Sequence, residues 1–307
     1  MIKKALPYVI FAAVIGISSC KSNNDFKTKD GFLYKIVKDV KGKNAVMGDI
    51  LKMNIVIKNV NLDKSGNVTH DTILIESRKV NNNEPVEMQL QPSGMKGDWL
   101  SCLSLLSAGD SAVLRISVDT LKKSLPPGQP LPPFMKPGSY LQYEISLVSV
   151  KSKEDYKKEM EQKSTEQAAT DEKLLQDYFT KNNLHPSKTA SGLYYIMQKE
   201  GSGNSPLKDQ EVTVNYTGKT LEGVVFDSNQ DTAFHHMQPF TYAAGDGQTI
   251  RGWDEGVMMM KKGGKATFFI PSGMAYGPKS PSPKIAPNSV LIFNIDVLDI
   301  KNVPVKK

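Results

Sequence analysis

Thr249-Ile250-Arg251-Gly252-Trp253-Asp254-Glu255-Gly256-Val257 is the stretch on which the reading of this chain turns. It leads into Met258, Met259, Met260, Lys261 and Lys262, and then Gly263-Gly264. A short helix is predicted from near Trp253 through Lys261, because paired glycines suit a helix C-terminus. Working outward, EVTVNYTG (211–218), KATFFIPS (265–272) and VLIFNIDVLDI (290–300) alternate apolar and polar residues. A period of two reads as half-buried strand. Strands thus flank one short helix.

The same style recurs earlier. DILKMNIVIKN (49–59), SAVLRISV (111–118) and YLQYEISLVSV (140–150) also read as strands. With Gly31 set against Gly192 the halves run in step through their first strands, so Ile55 falls opposite Tyr216. Ile75-Glu76-Ser77 is matched to Phe226-Asp227-Ser228, Val86 to Phe240, Trp99 to Trp253 and Gly109 to Gly263. Further on, Lys122 stands opposite Tyr276 and Tyr143 opposite Phe293. A repeated Trp at constant offset with flanking glycines reads as a duplicated domain.

Five pieces occur in order in the second half: VNYTG (214–218), VVFDS (224–228), TIRGWDEGV (249–257), MAYGP (274–278) and LIFNIDVL (291–298). Together they resemble the FKBP family of prolyl cis/trans isomerases over roughly residues 188–300. The resemblance implies an α+β fold of two FKBP-like domains, each a twisted antiparallel sheet wrapped around a short helix, joined by a helical connector. It implies isomerisation of X–Pro bonds with no cofactor and no metal. By the resemblance Asp227, Tyr276, Phe226 and Trp253 are the catalytic set, with Trp253 as the floor under the proline ring. Tyr216, Phe240, Tyr242, Ile250, Ile285 and Phe293 would complete the substrate wall. The backbone N–H of Ile250 and the Tyr276 hydroxyl would donate to substrate carbonyls. Any one aromatic on an alternating strand reads equally well as core, so the joint pattern carries the assignment.

Two departures stand out. SNQDTAFHHMQ (228–238) is longer than the short family form and lacks an Arg to support Asp227. GPKSPSPKIAP (277–287) carries Pro281 in the flap after Tyr276, so substrate preference does not carry over. The first half keeps Trp99 and, by the matching above, a carboxylate at Glu76, but loses most of the aromatic wall. It reads as a degenerate copy that binds or spaces, with a slow but real isomerase as the competing reading.

Residues 1–20 read as a lipoprotein signal peptide. Lys3 and Lys4 precede the apolar run ALPYVIFAAVIGI (5–17), and Ser18-Ser19-Cys20 resembles a lipidation box. A lipid on Cys20 would hold the chain at a membrane, read as the outer membrane facing the periplasm. Residues 21–29 form a polar tether, 30–150 the degenerate domain, 151–186 the connector, 187–301 the isomerase domain and 302–307 a tail. In the connector, Leu174, Leu175, Tyr178 and Phe179 are expected to dock on the following domain, and Pro186 to end the helix. Its heptad signal is weak and leaves oligomeric state open. Expected partners are proline-containing segments of exported proteins, with a non-catalytic holding role as the alternative. The formal charge of +7 is spread over short Lys runs without a nucleic-acid signature, so no nucleic-acid partner is expected. His235 and His236 are adjacent, have no Cys beside them, and read as polar loop. The other Cys, Cys102, has no intramolecular partner once Cys20 is lipidated and reads as a small buried apolar residue.

Overall fold

The computed structural model describes residues 25–94, 98–124 and 130–302. The signal peptide, Cys20 and the start of the tether lie outside the described residues. The chain separates into two compact units, one up to Lys157 and one from Lys158.

The first unit holds β1 (Lys27–Lys29), β2 (Phe32–Lys38), β3 (Ile50–Leu62), β4 (Val68–Glu76), α1 (Ser77–Val80) and β5 (Val86–Gln89). It continues through α2 (Leu100–Leu103), β6 (Ser111–Ser117), α3 (Val118–Ser124) and β7 (Tyr140–Lys151). α4 (Lys153–Lys181) starts in the first unit and runs into the second. The second unit adds β8 (Ser187–Lys188), β9 (Tyr194–Lys199), β10 (Glu211–Thr220), β11 (Val225–Ser228) and β12 (Phe240–Ala243). It ends with α5 (Arg251–Met258), β13 (Lys265–Ile270) and β14 (Leu291–Lys301).

The two sheets have one topology. The first runs β1-β2-β6-β7-β3-β4 with β5 also on β3; the second runs β8-β9-β13-β14-β10-β11 with β12 also on β10. All these pairings are antiparallel, as an α+β fold requires. The details repeat as well. Ala112 faces Ile145 as Ala266 faces Ile295. Gly109 N–H donates to the Leu147 carbonyl as Gly263 N–H donates to that of Val297.

One part of the sequence matching is corrected by the register. In the second unit Thr217 faces Ser228 and Gly218 faces Asp227, and a bulge then skips Phe226. In the first, Val56 faces Glu76 and Ile57 faces Ile75, and a bulge at the same place skips Leu74. The structural counterpart of Phe226 is therefore Leu74, and that of Asp227 is Ile75. Glu76 takes the place of Ser228 and bonds Lys79 at 2.7 Å, so the first unit lacks the carboxylate. The bulge adds a residue that pairing alternation does not reveal.

The core of the second unit lies between the sheet and α5. Val257 is fully buried there, with Trp253 nearly so, against Phe268, Ile270, Leu291 and Ile295. A Cβ on Gly256 would stand 2.8 Å from the Phe268 ring, so glycine is what lets the helix lie this close to β13. α5 ends at Met258, short of the predicted Lys261. The chain there leaves the helix so that Lys262 can pair with Ser202, and Gly263 follows at φ +78°.

α4 opens with a reciprocal cap: the Ser152 hydroxyl accepts from Asp155 N–H and donates to the Asp155 carboxylate. Its buried positions are Asp171, Leu175 and Phe179, spaced by four so that they share one face. Phe179 meets Phe269 edge-on at 4.9 Å and Tyr194 at 5.1 Å. Asp171 accepts from Ser272 N–H and from the Ser272 hydroxyl, each at 2.7 Å. Leu174, expected to dock, points to solvent at 45% exposure, one position off this stripe. The helix stops at Lys181, before the predicted Pro186, because Asn183 takes a left-handed φ of +51° and Leu184 N–H bonds back to Phe179. In the first unit Cys102 is fully buried beside Phe32, Leu114 and Ile116. Among the described residues no helix is long and apolar enough to cross a membrane.

Candidate functional site

A cavity of about 450 Å³ opens beside α5. Four elements bring its aromatic lining together: β10 supplies Tyr216, the bulge of β11 Phe226, α5 Trp253 and β14 Phe293. The rings meet edge to face. Trp253 lies 4.9 Å from Phe293 and 5.1 Å from Tyr216, and Phe226 lies 5.5 Å from Phe293, all within 15° of perpendicular. Such pairs place the positive edge of one ring against the negative face of another. They hold the walls apart instead of collapsing them into a stack.

Gly218 makes the space. A Cβ at this position would stand 2.6 Å from Phe293 and 2.7 Å from Phe226, so any side chain would push the two rings into the cavity. The equivalent position in the first unit, facing Tyr143 as Gly218 faces Phe293, is Ile57. There Tyr143 lies flat on Trp99, 5.7 Å away at 9°. The ring beside the Trp thus lies parallel to it in the first unit and stands edge-on to it in the second.

Ile250, immediately before α5, and Ile285 complete the apolar lining, with Gln248, Thr249, Pro281 and Ser282 at the edge. Phe240 and Tyr276 stand at the rim, 37% and 39% exposed. Tyr242 does not line the cavity. It is buried behind Phe240, stacked at 5.3 Å, and props Trp253 from below. Burial first, and the nearby Asp254 second, raise its phenol pKa. The strand spacing that puts Tyr242 on the same side as Phe240 gives no depth, which is why sequence reasoning set both in the wall.

Asp227 is the carboxylate at this site. Tyr216 donates its hydroxyl to Oδ2 at 2.7 Å, and His236 Nε2 lies 2.9 Å from Oδ1. Burial, and then Asp227 itself, hold the phenols of both Tyr216 and Tyr276 above their ordinary pKa. Both therefore remain proton donors at neutral pH. His236, read from the sequence as polar loop, reaches Asp227 because the loop between β11 and β12 folds back on itself. Asn229 and Asp231 make that fold. Asn229 is buried, accepts from Tyr216 N–H and donates to the Val214 and Gln238 carbonyls. Asp231 caps the 3-10 turn Thr232–Phe234.

Asp254 is a second residue the sequence did not single out. Its carboxylate accepts from Gly245 N–H at 2.8 Å and Gly247 N–H at 3.4 Å, fixing the loop that delivers Gln248, Thr249 and Ile250. Among the described residues, no group of three or more His, Cys, Asp or Glu could hold a metal ion.

Residues 203–298 match the model of the family described as FKBP-type peptidyl-prolyl cis-trans isomerase. The chain is 43% identical over 109 residues to an FK506-binding protein of Neisseria meningitidis serogroup B, covering 36% of this chain and 96% of the relative. It is 43% identical over 122 residues to a probable FKBP-type peptidyl-prolyl cis-trans isomerase FkpA of the same organism, covering 39% and 43%. It is 39% identical over 111 residues to the outer membrane protein MIP of Legionella longbeachae, covering 36% and 45%. The chain spans less than half the length of the last two relatives.

Proposed function

This chain belongs to the FKBP-type peptidyl-prolyl cis-trans isomerase family, and on that footing we propose that the cavity of its C-terminal unit isomerises X–Pro bonds of exported polypeptides. The observation that carries the proposal is the open aromatic box with a single held carboxylate at its mouth. An X–Pro bond resists twisting because amide resonance sets a barrier of about 18–20 kcal/mol. No bond breaks, so neither a nucleophile nor a metal is needed. The site has only to bind the twisted amide better than the planar one. A twisted amide has lost resonance, and its nitrogen and carbonyl are less polar than in the planar form. An apolar box favours that state, with Trp253 under the ring and Phe226 and Phe293 at its side. The Tyr276 phenol at the rim can donate to a substrate carbonyl, while Asp227 fixes Tyr216.

Asp227→Leu keeps the size of the side chain and removes the acceptor for Tyr216 and His236. It is expected to slow a proline-limited refolding reaction about ten-fold, which corresponds to roughly 1.4 kcal/mol of transition-state stabilisation. An unchanged rate from a folded variant would remove Asp227 from the mechanism. The residual rate also reports on the first unit. With Tyr143 on Trp99, Ile57 for Gly218 and Ile75 for Asp227, that unit is proposed to bind or space and to contribute little turnover.

The N-terminal segment, with its Ser18-Ser19-Cys20 box, supports a lipid-anchored placement in the cell envelope, and one relative is named an outer membrane protein. Cys20→Ser is expected to move the protein from the membrane pellet to the soluble fraction. Retention in the pellet would argue against the lipid.

A further inference from the structure

We propose that the groove between α4 and the turn Ser272–Met274 is a second substrate site, which holds the stretch of polypeptide flanking the proline in the aromatic cavity. The inference rests on reading that cavity as the isomerase site. The groove encloses about 1090 Å³, more than twice the volume of the aromatic cavity, and its lining belongs wholly to the second unit. One wall is a face of α4. Met160, Lys163, Ser164, Gln167, Ala168 and Asp171 line it, at the spacings of three and four that put residues on one side of a helix. The other wall is made by residues 271–274, with Gly277 and Pro278 beyond them. Asp171 ties the two walls together through Ser272.

The groove and the aromatic cavity meet at two places. Ile250 lines the cavity and Arg251 the groove. Tyr276 stands at the rim of the cavity, and Gly277 and Pro278 line the groove. Successive Cα atoms lie about 3.8 Å apart, so the two linings come within one residue of each other at both places. A chain seated in the cavity by its proline therefore reaches the groove with the next few residues. The lining suits a polypeptide. Arg251 is exposed and has no carboxylate partner among the described residues. The Asn288 side-chain amide lines the same groove and likewise has no hydrogen-bond partner there. An amide pairs with the main chain that every polypeptide offers, and a guanidinium fork fits a carboxylate. The other charges of the lining are mostly engaged. Lys163 pairs with Glu159 and Lys188 with Glu172, each at 2.9 Å, and Asp171 accepts from Ser272. Glu166 is the exception, bonded to the neutral Gln162 amide. Arg251 is thus the cation left for a ligand, and it reads an acidic side chain near the proline. Met160, 39% exposed, adds an unbranched apolar side chain that adapts to different partners.

The test uses the full chain and peptides that share one X–Pro core: a short one that fills the cavity alone, and long ones extended on both sides with Glu or Gln in the flanks. For the wild type, kcat/KM should be about ten-fold higher on the long Glu peptide than on the short one, carried by a lower KM, because flank contacts are the same in the ground and transition states. Glu flanks should be preferred to Gln flanks by about two- to five-fold, the worth of an exposed ion pair, and Arg251→Gln should remove that preference. Gly273→Trp fills the groove from one wall: Gly273 is exposed, and a Cβ there meets nothing within 4 Å. It should abolish the length preference and leave the short peptide within about two-fold of wild type. Ala168→Trp, from the exposed face of α4, repeats the test if the first variant does not fold. Equal kcat/KM on short and long peptides in the wild type overturns the proposal, as does a length preference that survives in the folded tryptophan variants. A Glu preference that survives Arg251→Gln overturns the role of Arg251. A wild type that turns over neither peptide overturns the reading of the cavity instead. Fluorescence anisotropy of the labelled long peptide, with wild type against Gly273→Trp or Ala168→Trp, then still decides the groove.

Discussion

Trp253→Ala is expected to destabilise the C-terminal unit by about 3–5 kcal/mol, the range for removing a buried aromatic. Trp253 is almost wholly buried and touches Tyr216, Phe240, Tyr242 and Phe293 by ring contact. Its loss leaves a void beneath all four. In a domain whose total stability is about 5–15 kcal/mol, much of the protein can remain folded and be assayed. In that folded fraction kcat/KM should fall about ten- to a hundred-fold. The proline ring loses an apolar floor worth roughly 1.5–3 kcal/mol, and each 1.36 kcal/mol is a factor of ten. Urea unfolding gives the first number and a peptide assay under strongly folding conditions the second. Trp253→Phe separates the two, restoring part of the packing but a shorter floor. Full activity in folded Trp253→Ala would show that catalysis takes place elsewhere.

The second large effect is on stability alone. Phe179→Ala should cost about 3–5 kcal/mol, because Phe179 inserts between Phe269 and Tyr194. Asp171→Ala leaves the Ser272 N–H and hydroxyl without their acceptor, at about 1–3 kcal/mol for each buried group left unpaired. Neither residue lines the aromatic cavity. Folded protein of either variant should keep kcat/KM on a short peptide within about two-fold of wild type, less than the 1.36 kcal/mol that marks a factor of ten. Urea unfolding read from the C-terminal unit checks the loss. An unchanged midpoint for Phe179→Ala would mean that the helix end does not dock as described. The part of α4 that carries Asp171 and Phe179 belongs physically to the unit that follows it.

These two sites also mark what could be read from sequence. The strands and the repeat were legible, because alternation and a recurrent Trp at fixed offset leave a linear trace; the antiparallel class came only with the family resemblance. Leu174, Leu175, Tyr178 and Phe179 were expected to dock from their helical spacing, and Leu174 instead points to solvent. Asp171 was not, since a charged residue on a polar helix reads as solvated unless its Ser272 partner, 101 positions away, is known. The match of Glu76 to Asp227 failed because a bulge shifts pairing by one residue without changing composition. His236 was passed over because its meaning lies in a loop that Asn229 and Asp231 fold, and loops have no period. Gly218 and Ile57 lie on strands and were missed for another reason. A glycine on a strand reads as a weakness until the two rings facing it are seen.

Cys102 is fully buried in the first unit, and burial pushes its thiol pKa up to about 11. The thiolate is the reactive form, so the folded unit shields this sulfur both sterically and chemically. The described part of the second unit contains no cysteine. Alkylation of Cys102 therefore acts as a clock for one half of the molecule. It advances only when the N-terminal unit opens, and so it can time that opening while the half with the aromatic cavity stays intact and silent.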